Sequence, residues 1–220
     1  MGKVENVVSY YVLCNKLKDV IRTGWKDWNV DRERVESVAE HIFGVQSLAI
    51  AMWSEYDYDI DIFKVILMLA IHELEEVIIG DLTQFQISRD EKKKLGHKAV
   101  SEVLSSLKQG DEIEKLIHEF DERKTKEAHF AYQCDKLECD LQCKLYDEEA
   151  CVDLSCQDNN PTFKNKDVQR LLAEDRCWSD AWLAFGREKY DYDVNFREIS
   201  FYVEKNPIGL MKLKKNDGKK

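Results

Sequence analysis

The stretch Val65-Ile66-Leu67-Met68-Leu69-Ala70-Ile71-His72-Glu73-Leu74-Glu75-Glu76 decides how the rest of the chain is read. Its first seven residues are apolar on every face, which suits a helix central to a core. The run then turns to one imidazole and three carboxylates, and Gly80-Asp81 follows. Burying such groups carries a large desolvation cost unless something compensates it. A divalent cation does so naturally, because it takes imidazole nitrogen and neutralises carboxylates. On a continuous helix over residues 60–79, His72 and Glu76 share a face, and Glu73 lies about 100° round on the same rim. Glu75 is expected to point to solvent. Gly80 is the expected helix stop.

Working outward, apolar spacing predicts helices throughout. Val4, Val7, Val8, Tyr11, Val12, Leu17 and Val20 mark a first helix over about residues 4–20, with Gly24 as its stop. The connection that follows holds Trp25 and Trp28, too aromatic for a solvent loop, and is expected to lie on the body of the protein. Ser37 with Glu40 three residues later reads as a capping box that starts a second helix, near Val35 or slightly earlier. Ser88 caps another helix, to about Gln109, with a charged start at residues 89–94 that reads as solvated. Gly110-Asp111 separates it from a short helix over residues 112–120. Helices are also expected over about residues 124–147, 167–190 and 196–204. Residues 151–161 read as a polar surface excursion.

Composition agrees. Only two prolines and nine glycines occur among 220 residues, little turn punctuation for a sheet-rich chain. Hydrophobic residues are 44% of the chain, enough for one substantial core. The net charge of −10 argues against nucleic-acid polymers and acidic membranes as partners. It leaves room for a small anionic substrate at a cation-bearing cleft. No apolar run is long enough to span a bilayer and no export signal is seen, so a cytoplasmic protein is expected. The seven cysteines then read as reduced thiols, with Cys139 and Cys143 sharing a helical face through ordinary packing.

A second histidine stands out. His41 lies just inside the capped helix, in Glu36-Ser37-Val38-Ala39-Glu40-His41, so two helices can each bring an imidazole to one cation. A lone helical histidine is more often packed or superficial, and His97, His118 and His129 are read that way. The ordered set of Glu36-Ser37-Val38-Ala39-Glu40-His41, then His72-Glu73-x-x-Glu76-x-x-x-Gly80-Asp81, then Asp135 in Ala131-Tyr132-Gln133-Cys134-Asp135-Lys136 resembles the HD-domain phosphohydrolases. Within them it is most similar to the 5′-deoxynucleotidase branch, the bacterial YfbR-like and eukaryotic HDDC-type proteins. The segment Arg22-Thr23-Gly24-Trp25 also resembles the stretch that precedes the first motif in this branch. The resemblance covers roughly residues 10–150.

The resemblance implies an all-α HD-domain helical bundle with its core at about 10–150; helical spacing adds C-terminal helices at about 165–205 to a domain over residues 1–205, and residues 206–220 read as a flexible Lys-rich tail. It implies one divalent metal ion (Co, Mn, Mg, Fe or Zn) held by His41, His72, Glu73 and Asp135. The metal would polarise a phosphate oxygen and lower the pKa of a bound water. Glu76 takes the place of the catalytic acid, and Asp81 that of the carboxylate that positions water and sugar. Arg22, Trp25, Leu82, Thr83 and Gln84 are the implied substrate contacts, with Arg34 as the other candidate for the arginine. The implied reaction is hydrolysis of a deoxyribonucleoside 5′-monophosphate to nucleoside and phosphate, and the implied assembly is a homodimer. Two positions depart: Glu73 stands where the family has Asp, its extra methylene lengthening the reach by about 1.5 Å, and Gly24 stands directly before Trp25 where some members have the substrate-binding Arg. The Glu73 departure keeps in view a catalytically weakened nucleotide-binding or regulatory module. Cleavage of a cyclic or alarmone nucleotide and a purely helical interaction protein are the remaining rivals.

Overall fold

In the computed structural model, helices form wherever apolar spacing predicts them, and several are interrupted where the sequence reads as continuous. The structure describes residues 2–83, 86–174 and 176–209, with backbone alone at Arg89. Helix α1 spans Lys3–Asn15, and a 3₁₀ turn at Lys16–Lys18 closes it, short of the expected residue 20. Gly24 is not a stop: it lies inside the short α2, Thr23–Asp27. Ser37 caps α3, Val38–Glu55, as expected, with Glu40 returning the hydrogen bond to the Ser37 N–H at 2.9 Å. Helix α4 runs Ile62–Ile71, with Asp61 as its N-cap.

The chain then departs from the continuous-helix expectation. α4 ends at Ile71, tight turns carry His72 to Glu75, and the four-residue α5 occupies Glu76–Ile79. Leu74 N–H donates to Ile71 O at 3.0 Å and Glu76 N–H to Glu73 O at 3.1 Å, which is the tighter three-residue winding. So the polar switch in the sequence is also a backbone break, and His72 and Glu76 do not ride one straight helix. Gly80 ends the segment at φ +72°, a conformation that favours glycine.

Ser88 caps α6, Arg89–Leu104, which stops short of Gln109. Gly110 begins α7, Gly110–Glu122, rather than separating it from α6, and a Cβ there would collide with the Leu104 carbonyl. Helix α8, Lys126–Glu148, is the longest described. The predicted helix over residues 167–190 is two, α9 (Lys166–Leu172) and α10 (Trp178–Arg187), and α11 spans Val194–Lys205. No strand occurs among the described residues, and none of their helices is long and apolar enough to cross a membrane.

Helices α3, α4 and α8 pack on one another at the centre, with α7 against α4 and α8, and α10 and α11 against α8. Val45, Met52, Val65, Leu69, Phe130 and Leu137 fill that centre. Burial of each such side chain contributes roughly 1.5–3 kcal/mol. A second cluster joins Trp25, Trp28, Tyr146 and Trp178, so the aromatic connection does lie on the body. Residues 151–161 are less superficial than expected. Gln157 and Asn160 are buried, and Gln157 Nε2 donates to Trp28 O at 2.9 Å. The apolar side of α1 stays outside: Val4, Val7, Val8, Tyr11 and Val12 are exposed.

Asp140 of α8 is buried, accepts the Tyr190 hydroxyl at 2.5 Å, and is pushed up to about 7 by burial, partly opposed by that hydroxyl and by Lys189. Its ordinary value is 3.8, so the native state holds the proton more tightly than the unfolded chain. The resulting stability is full below about pH 4, falls as pH rises, and is gone above about pH 7. Asp140→Asn keeps an acceptor for Tyr190 without the charge. It is expected to flatten the fall in stability across this window by up to roughly 4 kcal/mol, read from thermal midpoints against pH.

Candidate metal centre

Side chains from three distant stretches meet where α3, the end of α4 and α8 cross. His41, one turn inside α3, and Asp135, midway along α8, are both buried. His72 and Glu73 arrive on the turns after α4. One ligand atom from each of these four residues lies within 4.8 Å of every other. The His41 and His72 ring centroids are 5.5 Å apart.

His72 is the clearest member. Its Nδ1 donates to Leu69 O at 2.8 Å, which leaves the Nε2 lone pair facing inward. That Nε2 is buried with no hydrogen-bond partner among the described residues, 3.7 Å from Glu73 Oε1 and 3.9 Å from Asp135 Oδ1. Burial lowers the ring's proton affinity, so the lone pair is available. An orphaned imidazole nitrogen flanked by two carboxylates fits a divalent first-row cation.

His41 faces Asp135 Oδ1 with Nε2 at 3.1 Å and Glu138 Oε2 with Nδ1 at 2.6 Å. Burial and Arg22 oppose its charge, but these two carboxylates carry it up to about 9. Asp135 is held well below the usual carboxylate range: burial opposes this, and Lys136 and His41 outweigh it. Burial likewise opposes ionisation of Glu73, yet His72, Arg22 and Lys92 hold it down at about 2. Glu73 Oε1 also takes Arg22 Nη1 at 3.3 Å. The longer side chain in the Asp position therefore still reaches the cluster.

Glu76 is buried beside the cluster. Its Oε1 takes Lys92 Nζ at 3.3 Å, and its Oε2 has no partner among the described residues. Burial, with the charges of Glu73 and Asp81, pushes it up to about 11. Asp81 Oδ2 accepts the Thr23 N–H at 2.7 Å, and Thr23 Oγ1 donates to Asp81 O at 2.6 Å, so the loop after α5 is tied to the start of α2. Arg22 is thereby brought to the site, whereas Arg34 pairs with Glu40 on the exposed side of α3. Trp25 stands behind the site. It is buried, its indole N–H donates to Glu36 Oε2 at 2.6 Å, and its ring packs on Tyr146, Trp178 and Trp182. Leu82 is half-buried, and Thr83 lines a neighbouring cavity. Gln84 lies outside the described residues.

Sequence reasoning missed four residues here. Lys92 belongs to the stretch read as solvated, yet it reaches Glu76. Glu75, expected in water, has a buried Oε2, and burial with the Glu73 charge raises it to about 8. Glu36, the first residue of the quoted motif, anchors Trp25. Glu138 orients His41, and its place one helical turn beyond Asp135 was the available signal.

Comparison with known proteins agrees with this geometry. The family signature described as "HD domain" matches residues 14–174. A Dictyostelium discoideum protein named 5′-deoxynucleotidase HDDC2 is 32% identical over 154 residues, 66% of this chain and 80% of that protein. The Schizosaccharomyces pombe 5′-deoxynucleotidase hdd1 is 26% identical, over 67% of this chain and 76% of its own. Among solved structures, a conserved hypothetical protein from Pyrococcus furiosus is similar with TM-score 0.60 and 25% identity, covering 90% of this chain and 99% of that one. A predicted metal-dependent phosphohydrolase from Magnetospirillum magnetotacticum shares the fold at TM-score 0.56 and 20% identity, over 91% of this chain and 94% of that one. With the signature spanning most of the sequence and laid over the helices that carry the cluster, the chain belongs to the HD domain family.

Proposed function

We propose that this protein is a metal-dependent phosphohydrolase that converts deoxyribonucleoside 5′-monophosphates to nucleoside and phosphate. One observation carries the metal chemistry: the buried His72 Nε2, without a partner among the described residues, beside Glu73, Asp135 and His41. The substrate class rests on the relatives named as 5′-deoxynucleotidases. His41, His72, Glu73 and Asp135 would hold one divalent ion, which when bound supplies Lewis-acid charge to a phosphate oxygen. That ion, with Arg22 and Lys92 nearby, would make the local field attractive to a phosphate although the chain is acidic overall.

Glu76 is the acid in this reading. As water attacks phosphorus and the bond to the sugar 5′ oxygen breaks, Glu76 gives that oxygen its proton, and Lys92 orients the carboxyl. Asp81 orients the attacking water and the sugar, and Leu82, Thr83 and Gln84 contact the nucleoside side. Trp25 acts from behind, by fixing Glu36 and the α2 turn that carries Arg22. A regulatory module without catalysis is disfavoured because Glu73, in the place of the family's Asp, is ionised and within reach of the other three ligands.

Phosphate release from deoxynucleoside and ribonucleoside 5′-monophosphates, measured with Co, Mn, Mg, Fe and Zn, tests the reading. Turnover of deoxynucleotides with at least one metal is expected. Failure with every metal, in protein shown to have bound it, would contradict it.

A homodimer belongs to the same reading, with a second copy covering the apolar residues that α1 exposes. Sedimentation is expected to give twice the chain mass of 25.9 kDa, and a monomer mass would sink it. The seven free thiols suit a reducing compartment such as the cytoplasm.

A further inference from the structure

A cavity of about 310 Å³ lies beside the metal cluster, and no residue of its aromatic wall belongs to the quoted motifs. Trp28, Trp178, Trp182 and Phe185 supply that wall, with Thr162 and Asn165 as polar neighbours. The volume is at the lower end for small-molecule sites, and apolar walls with a few polar groups are their usual chemistry. On the side towards the cluster the cavity is lined by Thr83, Lys136 and Cys139. Cys139 Sγ is 3.4 Å from Arg22 Nη2, and Arg22 is 3.3 Å from Glu73. Lys136 Nζ is 2.9 Å from Asp135 Oδ2. One wall of the cavity is thus a single side chain removed from two of the candidate ligands.

Its composition points to a flat, π-bearing guest. Trp182 and Phe185 are half-buried and offer stacking faces. Trp28 and Trp178 are 1% and 2% exposed, and neither indole N–H has an acceptor among the described residues. An aliphatic guest would leave the ring faces and the polar rim of Thr162 and Asn165 unused, whereas a nucleobase carries both a π face and hydrogen-bonding edges.

We propose that this cavity is the base subsite: the heteroaromatic ring of the nucleotide lies against the Trp182 and Phe185 walls, while its 5′-phosphate reaches the cluster past Cys139 and Arg22. The phosphate end of this proposal rests on the hydrolase reading. The base end rests on the cavity alone.

The test separates the two. Deoxyadenosine carries base and sugar but no phosphate, and deoxyribose 5-phosphate carries no base. In the metal-loaded full-length protein, calorimetric titration is expected to give saturable deoxyadenosine binding. Phe185→Ala removes a wall, and Val168→Phe, at another lining residue, fills the space. Each is expected to weaken deoxyadenosine binding about tenfold or more, the fold-change of one lost base stack, with a matching rise in KM for the deoxynucleotide. Turnover of deoxyribose 5-phosphate should stay within about twofold, because the phosphate end is untouched. Two variants acting in opposite directions guard against one that misfolds. No deoxyadenosine binding by the wild type, or equal binding by all three proteins, overturns the subsite. Absence of phosphate release from any nucleotide overturns the hydrolase reading instead, and the deoxyadenosine titration still decides the cavity.

Discussion

Glu76→Gln is expected to lower kcat for deoxynucleotide hydrolysis by about 10²- to 10⁴-fold while leaving bound metal and thermal stability close to wild type. The glutamine has the same shape and can still meet Lys92 through its carbonyl oxygen. It has no acidic proton for the departing sugar oxygen. Glu76 lies outside the four-residue cluster, so metal content should not follow the activity down. Glu76 is already uncharged in the fold, so a neutral amide of the same shape should not weaken it. Elemental analysis, a thermal scan and steady-state kinetics on one preparation check all three points. Loss of metal together with activity would assign Glu76 a ligand's part rather than an acid's.

The second large effect is expected from a glycine far from any reacting atom. A Cβ at Gly44 on α3 would collide with Glu138 Oε1 and lie 3.1 Å from its Cδ. That carboxylate has little room to retreat, because it is buried and its other oxygen holds His41 Nδ1 at 2.6 Å. Gly44→Ala is therefore expected to push Glu138 off His41. Partners that fix the second nitrogen of a ligating histidine typically change metal affinity 10- to 100-fold when lost, and a weakening of about that size is expected. Overpacking should cost about 1–3 kcal/mol of stability as well. Glu138→Ala removes the obstacle and the orienting carboxylate together. In the Glu138→Ala background, adding Gly44→Ala should change metal affinity little further. Competitive metal titration of the two single variants and the double variant reads this directly. Unchanged affinity in Gly44→Ala would mean that His41 needs no such support.

The candidate ligands were legible because they violate their surroundings. An apolar run that ends on His72 and Glu73 is a local conflict, and such conflicts concentrate at functional sites. Ser37 and Glu40 likewise announced the start of α3 through chemistry confined to four residues. The break after Ile71 was hidden for the opposite reason. Ile71 to Ile79 has the composition of a helix, and the turns at His72 to Glu75 are chosen by what they meet in space. Glu75 shows this: it packs where α6 offers Gly96, whose Cβ position would lie 3.3 Å from the Glu75 Cγ. Lys92 reads as one of several lysines in a charged helix start, and nothing local sets it apart from Lys93 or Lys94. The aromatic cavity was out of reach because its wall joins Trp28 to Trp178 and Trp182, some 150 residues later in the chain. Helical spacing also ran across the gap between α9 and α10 that shapes it.

Metal content by elemental analysis, before and after Asp135→Ala, bears most directly on the cluster as a cation site. One equivalent of a divalent ion per chain is expected in the reconstituted wild type, and close to none in the variant. Equal metal in the two proteins, or none in either after reconstitution, would contradict the account.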